Sequence, residues 1–453
     1  MDLEGYARKF LSHEDAVERI AQRIMEIKDV DEERARKIAE AVLTEVRISS
    51  HARGPLFEYP RSGVSMGEFG VGSRGRGDFY VHRKIAELLE LRAEISPAEL
   101  DDSGVVRAGD LLLAVSVDGI HSRLSDFPFL AGFHVTRATL RDVFVMGAIP
   151  VALFSDIHIA DDGDIGKLFD HVAGISAVSE LIGVPVVAGS TLRIGGDMVI
   201  GDRMSGCVGA VGVVRKLTPR ALAKPGDVII MTEGAGGGTI ATTAIYNGFF
   251  DVVERTMNVK FLLACLSLFE SGAIEKIHSM TDITNGGIRG DAWEISSSTS
   301  LKLRFHEETL RELVDEKVLQ MLDELEIDYL GVSLDMLMIT APEESSEEIM
   351  DAIKRAGVRC GIAGEVSEGQ GVELVSEEGV RKIEPFFRES PYTPLKKLIG
   401  VHASRDEEEM RRKVDEAFRE ALEKKREIIR KIRDSHSGIF PNTLQLLHRA
   451  QRK

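Results

Sequence analysis

Asp101-Asp102-Ser103-Gly104 opens a series of aspartates that lie beside apolar runs or glycine turns. The later members of the series are Asp118 after Leu111-Leu112-Leu113-Ala114-Val115, Asp142 before Val143-Phe144-Val145-Met146-Gly147-Ala148, and Asp282 in Thr281-Asp282-Ile283-Thr284-Asn285-Gly286-Gly287. Mg²⁺ prefers hard oxygen ligands and is usually held by a few carboxylates together with substrate phosphates. Taken singly, each aspartate is better explained as a cap or an ion-pair partner than as a metal ligand. Taken in order, they indicate a magnesium–nucleotide site, and no Walker A or dinucleotide fingerprint competes with it.

Composition predicts a globular protein with more than one domain. The chain has 453 residues, of which 43% are hydrophobic and 29% charged. This length favours two main domains with extensions. The formal net charge of −17 argues against nonspecific binding to nucleic acid or to membrane surfaces as the main activity. An anionic substrate remains compatible with it, because local arginines, backbone amides and Mg²⁺ can receive phosphates.

The cysteines and the N-terminal residues indicate in which cellular compartment we expect the protein. Cys207, Cys265 and Cys360 are isolated in sequence, which argues against a disulfide framework or a zinc site. The first residues, Met1-Asp2-Leu3-Glu4, show no signal-peptide pattern, and no apolar run is long enough to span a bilayer. We therefore expect a cytoplasmic protein.

The spacing of hydrophobic residues and the positions of proline and glycine between the periodic segments divide the chain into four parts. Residues 1–55 are predicted to be a helical extension, 56–216 an α/β domain, 217–392 a second domain with helices and strands, and 393–453 a helical tail. The tail is rich in Glu, Lys and Arg and predicts a long amphipathic helix. We expect it to pack on its own body or on a dimer partner; docking of another protein is the alternative.

A glycine- and arginine-rich segment precedes the first aspartates. In Gly70-Val71-Gly72-Ser73-Arg74-Gly75-Arg76-Gly77-Asp78, backbone amides and two guanidiniums are suited to phosphate contacts. Asp78 is predicted to be the N-cap of the helix that follows. A flexible linker is the alternative. The run 234–239 has a similar composition, with a tight strand-to-helix turn as its alternative, and His121 or His158 is a candidate proton-transfer group.

Several stretches together carry a family resemblance. They are Asp101-Asp102-Ser103-Gly104-Val105-Val106, Val117-Asp118-Gly119, Asp142 with Met146-Gly147-Ala148-Ile149-Pro150, Gly183-Val184-Pro185-Val186-Val187-Ala188-Gly189-Ser190-Thr191, Lys224-Pro225-Gly226-Asp227 and Thr281-Asp282-Ile283-Thr284-Asn285-Gly286-Gly287. In this order, the chain resembles the superfamily of aminoimidazole ribonucleotide synthetase, selenophosphate synthetase, thiamine-monophosphate kinase and the hydrogenase-maturation carbamoyl dehydratase.

The resemblance implies a two-domain fold, α/β plus α+β, here with helical N- and C-terminal extensions. It also implies dimerisation through the N-terminal sheet and ATP bound in a cleft with Mg²⁺. By motif, the implied metal ligands are Asp102, Asp118, Asp142 and Asp282, with Asp101 a close alternate. The implied nucleotide-binding residues are Gly72, Ser73, Gly75, Gly77, Asp142, Gly189, Ser190 and Thr191. Asp118, Arg74 and Arg76 are the implied catalytic residues.

Three departures from the family pattern affect the functional prediction. Ser190 stands where many members carry an aspartate, Arg141 stands where Asn or Ser commonly precedes the helix aspartate, and the reactive cysteine of two of the activities has no counterpart. We therefore expect a Mg²⁺- and ATP-dependent phosphotransferase or ligase, a homodimer, acting on an unidentified small molecule. A noncatalytic nucleotide-binding or assembly protein is the alternative.

Overall fold

A computed structural model describes residues 1–389 and 391–435 of the chain. Its α-helices are α1 (Leu3–Ala7), α2 (Ala16–Met25), α3 (Glu32–Ser49), α4 (Met66–Phe69), α5 (Arg76–Leu88), α6 (Pro128–Val145), α7 (Ile165–Ile182), α8 (Gly238–Asn247), α9 (Phe250–Thr256), α10 (Lys260–Ser271), α11 (Gly287–Thr299), α12 (Glu307–Leu313), α13 (Glu316–Glu324), α14 (Ser346–Arg355), α15 (Pro394–Ile399) and α16 (Glu407–Ser435). Its strands are β1 (Gly104–Ala108), β2 (Leu111–Gly119), β3 (Ala148–Ile159), β4 (Val186–Arg193), β5 (Met204–Val214), β6 (Asp227–Thr232), β7 (Ser279–Asp282), β8 (Leu301–His306), β9 (Leu337–Pro342), β10 (Cys360–Glu368), β11 (Gly371–Ser376) and β12 (Gly379–Lys382).

The N-terminal half is built on a five-stranded sheet in the order β1-β2-β5-β3-β4. Only β3 and β4 pair in parallel; the other neighbours are antiparallel. Helix α6 begins with Pro128, a favoured first helical residue, and is buried along almost its whole length between the sheet and α7. Burial on several sides explains why the apolar residues of α6 are not confined to one stripe.

The C-terminal half contains a seven-stranded sheet in the order β12-β11-β8-β10-β6-β9-β7. Most of its strand pairs are antiparallel, and β8 with β11 is the parallel exception. Its core joins β6, β8 and β9 to the apolar faces of α11 and α13. The predicted combination of an α/β half, an α+β half and helical extensions is confirmed.

The N-terminal extension has a small core of its own. Helices α1, α2 and α3 enclose apolar residues that also contact Ile200 of the N-terminal half. Lys28 adds an ion pair to Asp161 at 2.6 Å.

The C-terminal helix α16 lies along α5. Tyr80 donates a hydrogen bond to Asp415 at 2.6 Å, and Lys425 donates to the carbonyl of Leu88 at 2.8 Å. The tail therefore packs on its own body, as expected, over residues 407–435; residues 436–453 of the predicted tail lie outside the described part. The predicted domain limits stay a prediction. Within the described ranges no helix is long and apolar enough to cross a membrane.

Candidate nucleotide and metal site

A cavity of about 460 Å³ lies between the two halves and is lined by the aspartate series. Its wall includes all five predicted metal ligands: Asp101, Asp102, Asp118, Asp142 and Asp282. They arrive on separate elements, from the loop before β1, the end of β2, the last turn of α6 and the end of β7. Residues up to 181 positions apart in sequence thus face one space.

Burial and mutual repulsion raise the pKa values of these carboxyl groups. Desolvation raises the pKa of Asp101 to about 7 and that of Asp102 to about 6. The pKa of Asp142 is raised well above its usual value by burial first and then by Asp282, Asp118 and Asp102. Carboxylates that raise one another's pKa favour a cation that would neutralise them. The cluster therefore has the electrostatics of a cation site.

The donor set suits Mg²⁺ with phosphate oxygens as additional ligands. Both carboxylate oxygens of Asp282 are buried and accept no hydrogen bond within the described part of the chain. No three His, Cys, Asp or Glu side chains of that part already form a metal-binding group. Mg²⁺ is commonly held by one or two carboxylates, waters and substrate phosphates rather than by a complete protein cage. The arrangement fits that mode of binding.

Arginines neutralise part of the cluster. Arg220 contacts Asp102 at 2.5 Å and Glu294 at 2.9 Å. Arg141 pairs with Asp282 at 3.2 Å and also forms an ion pair with Asp335. Buried charges persist only when they are paired or bind an ion. Asp118 and Asp142 have no arginine ion pair among the described residues. The nearby charges of Arg141 and Arg74 compensate Asp118 in part, and Asp142 accepts a hydrogen bond from Ser116.

The glycine–arginine segment inserts one of its two arginines into this site. Arg74 contacts Glu294 at 2.9 Å and Asp291 at 3.2 Å. The carboxylate of Asp78 accepts hydrogen bonds from the N–H groups of Gly72 and Arg74, at 2.9 and 2.8 Å. The prediction of Asp78 as N-cap is wrong, because α5 already starts at Arg76 after Gly75. Asp78 instead folds the preceding loop back over the helix start.

Gly72 and Asp78 also line the cavity, whereas Arg76 and the two glycines beside it face the C-terminal part of the chain. Arg76 donates to the carbonyl of Pro385 and pairs with Glu407, each at 3.1 Å. A Cβ at Gly75 would lie 2.4 Å from the carbonyl oxygen of Phe387, and one at Gly77 would lie 1.9 Å from that of Phe69. These two glycines therefore allow close backbone packing. Ser73 closes the turn through the carbonyl of Gly70, at 2.6 Å.

Gly189, Ser190 and Thr191 lie on β4, the edge strand of the five-stranded sheet. They are exposed and are not part of the cavity wall in the described chain. Ser190 stands directly opposite Asp156 of β3, and Asp156 contacts His158 at 3.0 Å. Their predicted nucleotide-binding role stays a prediction, and His158 is placed away from the cavity.

Helix α6 adds a histidine and two arginines to the cavity wall, and sequence reasoning had not assigned His134 to the site. His134, Arg137 and Arg141 lie on the cavity-facing side of α6, and Gly237 and Gly238 face them from the start of α8. The signal was present as a spacing of three and four residues along a helix. It was obscured because α6 is also apolar and buried on its other faces.

His121 and the end of the glycine run 234–239 also belong to the cavity wall. His121, a candidate proton-transfer group, lines the cavity and contacts the hydroxyl group of Tyr392 at 2.9 Å. Burial lowers the pKa of His121 to about 4, with Lys396 and Arg123 adding to the effect. The last residues of the glycine run 234–239 also line the cavity, so this run is both a strand-to-helix turn and part of the site.

Comparison with known proteins agrees with this architecture. Residues 100–214 match the N-terminal domain model of AIR synthase related protein, and residues 224–377 match the C-terminal domain model. An uncharacterized protein of Methanocaldococcus jannaschii is 52% identical over 94% of this chain and 97% of its own length. Thiamine-monophosphate kinase of Pyrococcus horikoshii is 27% identical over 62% of this chain and 87% of its own length.

Among solved structures, hydrogenase maturation protein HypE in complex with ATP superposes with a TM-score of 0.52 at 19% identity. The match covers 72% of this chain and 92% of that chain. At that identity the likeness concerns the fold. The two domain models and the long relative together cover the cavity, its aspartates and both sheets, and the chain therefore belongs to the AIR synthase related family.

Proposed function

We propose that this protein is a Mg²⁺-dependent, ATP-using enzyme that transfers or activates a phosphoryl group on a small molecule. The observation that carries the proposal is the convergence of Asp118, Asp142 and Asp282 with Arg74 in one cavity between the two halves. Clustered carboxylates together with arginines in one cavity suit a metal-bound triphosphate. Its relatives support the choice, since one carries the name of a kinase and another was solved with ATP.

Each group of residues has a separate task in this proposal. Asp118, Asp142 and Asp282 would hold Mg²⁺, which when bound neutralises phosphate charge and orients the triphosphate. Arg74 contacts Glu294 and Asp291 in the structure, and it would have to leave them to contact the nucleotide. Catalysis then comes mainly from positioning and charge stabilisation, as is usual for phosphoryl transfer. The bond from the acceptor to the γ-phosphorus forms, the bond to the bridging oxygen breaks with its electron pair on ADP, and the proton of the acceptor group is released to water.

The noncatalytic alternative has one observation in its favour. Asp282, an implied metal ligand, is already paired with Arg141. A protein that binds nucleotide with fewer metal ions and does not turn it over would keep such a pair. Tight binding without turnover on any acceptor supports that alternative.

The first experiment measures nucleotide binding with and without Mg²⁺ by isothermal titration calorimetry, followed by ATP turnover against a metabolite panel. We expect Asp118→Asn and Asp282→Asn to weaken Mg²⁺-dependent binding by at least about tenfold, since even outer-shell changes at metal sites cost that much. Asp126→Asn, an exposed aspartate near Lys167, is the matched control. Unchanged binding in both site variants would remove the metal assignment.

A homodimer through the N-terminal sheet and a cytoplasmic location complete the proposal. The outer face of that sheet carries exposed apolar side chains: Val117 is 61% exposed, Val187 63% and Leu192 57%. Large exposed apolar patches mark interaction surfaces. A second copy would cover them.

A further inference from the structure

His134 offers the cavity a hydrogen-bond acceptor that the chain itself does not use. The ring is 5% exposed and its Nδ1 is buried without a hydrogen-bond partner in the described residues. Its Nε2 lies 3.2 Å from the hydroxyl oxygen of Thr256, and that hydroxyl donates to the carbonyl of Val253 at 2.7 Å. Thr256 can therefore only accept from His134. The proton is on Nε2, and the lone pair is on Nδ1.

Hydrogen-bond donors lie opposite this lone pair. Helix α8 starts after Gly237 with no capping side chain. The first N–H groups of a helix have no intrahelical acceptor and carry its positive end, here at Gly238 and Thr239. Both residues line the same cavity as His134. A Cβ built on Gly237 would lie 4.0 Å from Nδ1 of His134 and 3.5 Å from Nη2 of Arg137, so the start of α8 and these two side chains are close neighbours in the cavity.

The space between His134 and the start of α8 lies close to the aspartates of the same cavity. His134 and Asp142 are separated by eight positions on α6. At 1.5 Å per residue their backbones are roughly 12 Å apart along the helix axis. That distance accommodates a metal ion, a transferred phosphoryl group and an acceptor atom in sequence.

We propose that the space between His134 and the start of α8 is the subsite for a hydroxyl group of the acceptor substrate. A hydroxyl group donates its hydrogen to Nδ1 of His134, and its oxygen accepts from the helix N–H groups. One O–H group therefore satisfies both the acceptor on His134 and the donors on α8. A carboxylate has no hydrogen for Nδ1. An ammonium has no lone pair for the N–H groups and would meet Arg137 and Arg141. The inference rests on the proposed function for its reaction, and it narrows the acceptor to an alcohol or polyol.

Burial supports the neutral, accepting form of this ring. Desolvation lowers the pKa of His134 to about 3, and the positive charge of Arg141 and His121 acts in the same direction. The imidazole therefore stays unprotonated throughout the ordinary pH range. Its role is to recognise and orient the acceptor.

The test uses the full chain labelled with ¹⁵N-histidine, with glycerol, acetate and methylammonium as probes, in the absence and presence of Mg²⁺ and a nonhydrolysable ATP analogue. The Nδ1 signal of His134 is identified by its loss in His134→Phe. We expect glycerol to shift that signal, and acetate and methylammonium to leave it in place. No shift with glycerol, or an equal shift with acetate, overturns the proposal.

A second measurement follows the products of ATP turnover in glycerol. The ratio of glycerol phosphate to inorganic phosphate is expected to fall about tenfold in His134→Phe, the effect of one lost hydrogen bond. His134→Asn, which keeps a polar atom near the Nδ1 position, should recover part of it. His171→Phe is the matched control, because His171 is equally buried, also has an unpartnered ring nitrogen and lies outside the cavity wall. An unchanged ratio in His134→Phe contradicts the subsite. Failure of wild type to bind nucleotide instead contradicts the proposed function, and the histidine signal still tests the subsite.

Discussion

The Nε atom of Arg141 lies 3.2 Å from Oδ2 of Asp282. A guanidinium thus already neutralises one of the carboxylates that the family motif assigns to the metal. Because Asp282 is buried and accepts no hydrogen bond in the described structure, Arg141 is the main source of compensating charge for it. A divalent cation has to share Asp282 with this arginine or displace it.

When Arg141 is replaced by a neutral residue, added Mg²⁺ should take over its role as the positive charge beside Asp282. We expect Arg141→Gln to lower the free energy of unfolding by about 3 kcal/mol, because breaking the buried ion pair leaves Asp282 without its nearest cation, while Asp335 keeps Arg137. Added Mg²⁺ should then raise the melting temperature more than it does in wild type. Differential scanning calorimetry with and without MgCl₂ measures both effects. Arg123→Gln, an arginine stacked on Tyr246 outside the cavity wall, is the control, and an equal response to Mg²⁺ in both variants would contradict the expectation.

The raised carboxyl pKa values predict opposite pH dependences for ligand-free and metal-bound protein. Burial raises the folded-state pKa of Asp101 to about 7 and that of Asp102 to about 6. The folded state thus binds more protons than the unfolded state above about pH 4, and the stability that these two groups contribute is lost as pH rises through 6 and 7. Stabilisation by Mg²⁺ should increase over the same interval, because metal binding requires ionised carboxylates. Melting temperatures from pH 5 to 8, with and without MgCl₂, check this; parallel curves would be inconsistent with it.

The two arginines of the glycine–arginine segment should have separable effects. Arg74→Ala is expected to weaken nucleotide binding about tenfold or more, because Arg74 lines the cavity and charge-assisted contacts to phosphate are strong. Arg76→Ala is expected to leave the equilibrium affinity within about twofold. It should instead speed proteolysis of residues 70–78, since Arg76 binds Pro385 and Glu407. Titration calorimetry and limited proteolysis distinguish the two, and similar losses of affinity would show that Arg76 reaches the nucleotide.

The exposed apolar face of the N-terminal sheet should be covered in solution. We expect wild type to behave as a dimer and Leu192→Lys to shift it to monomers, because a lysine on that face cannot be buried without a partner. Leu398→Lys, at an 84% exposed position on α15, is the control. Light scattering after size-exclusion chromatography measures the mass. A monomeric wild type would remove the dimer from the proposal.

The sequence predicted the fold class and singled out five aspartates that line one cavity, because those features are carried by short motifs in a fixed order. Asp118 and Asp282 could be found as carboxylates next to apolar strands. The partner of Asp282 could not, since its pairing with Arg141 joins residues 141 positions apart and depends on the packing of both halves. Long-range side-chain contacts leave no local pattern.

The glycines illustrate the same limit. A run such as 70–77 suggests phosphate contacts, yet Gly75 and Gly77 are required by close approach to the backbone of other segments. Ser190 was noticed as a departure from the family pattern, but its position on the exposed edge of a sheet became clear only from the strand order. The free lone pair of His134 depends on a hydroxyl group 122 residues away.

The docking of residues 75–77 on Phe386 and Phe387 has a consequence for biosynthesis. Arg76 and Gly77 donate their N–H groups to those two carbonyls, and Arg76 reaches Pro385, 309 residues further along the chain. At roughly 5–20 residues per second, translation supplies that anchor only about 15–60 s after the segment itself has been made. A ribosome-bound chain therefore contains the aspartates before residues 75–77 can dock on residues 385–387. The ability to retain a nucleotide would be among the last properties that a newly made molecule acquires.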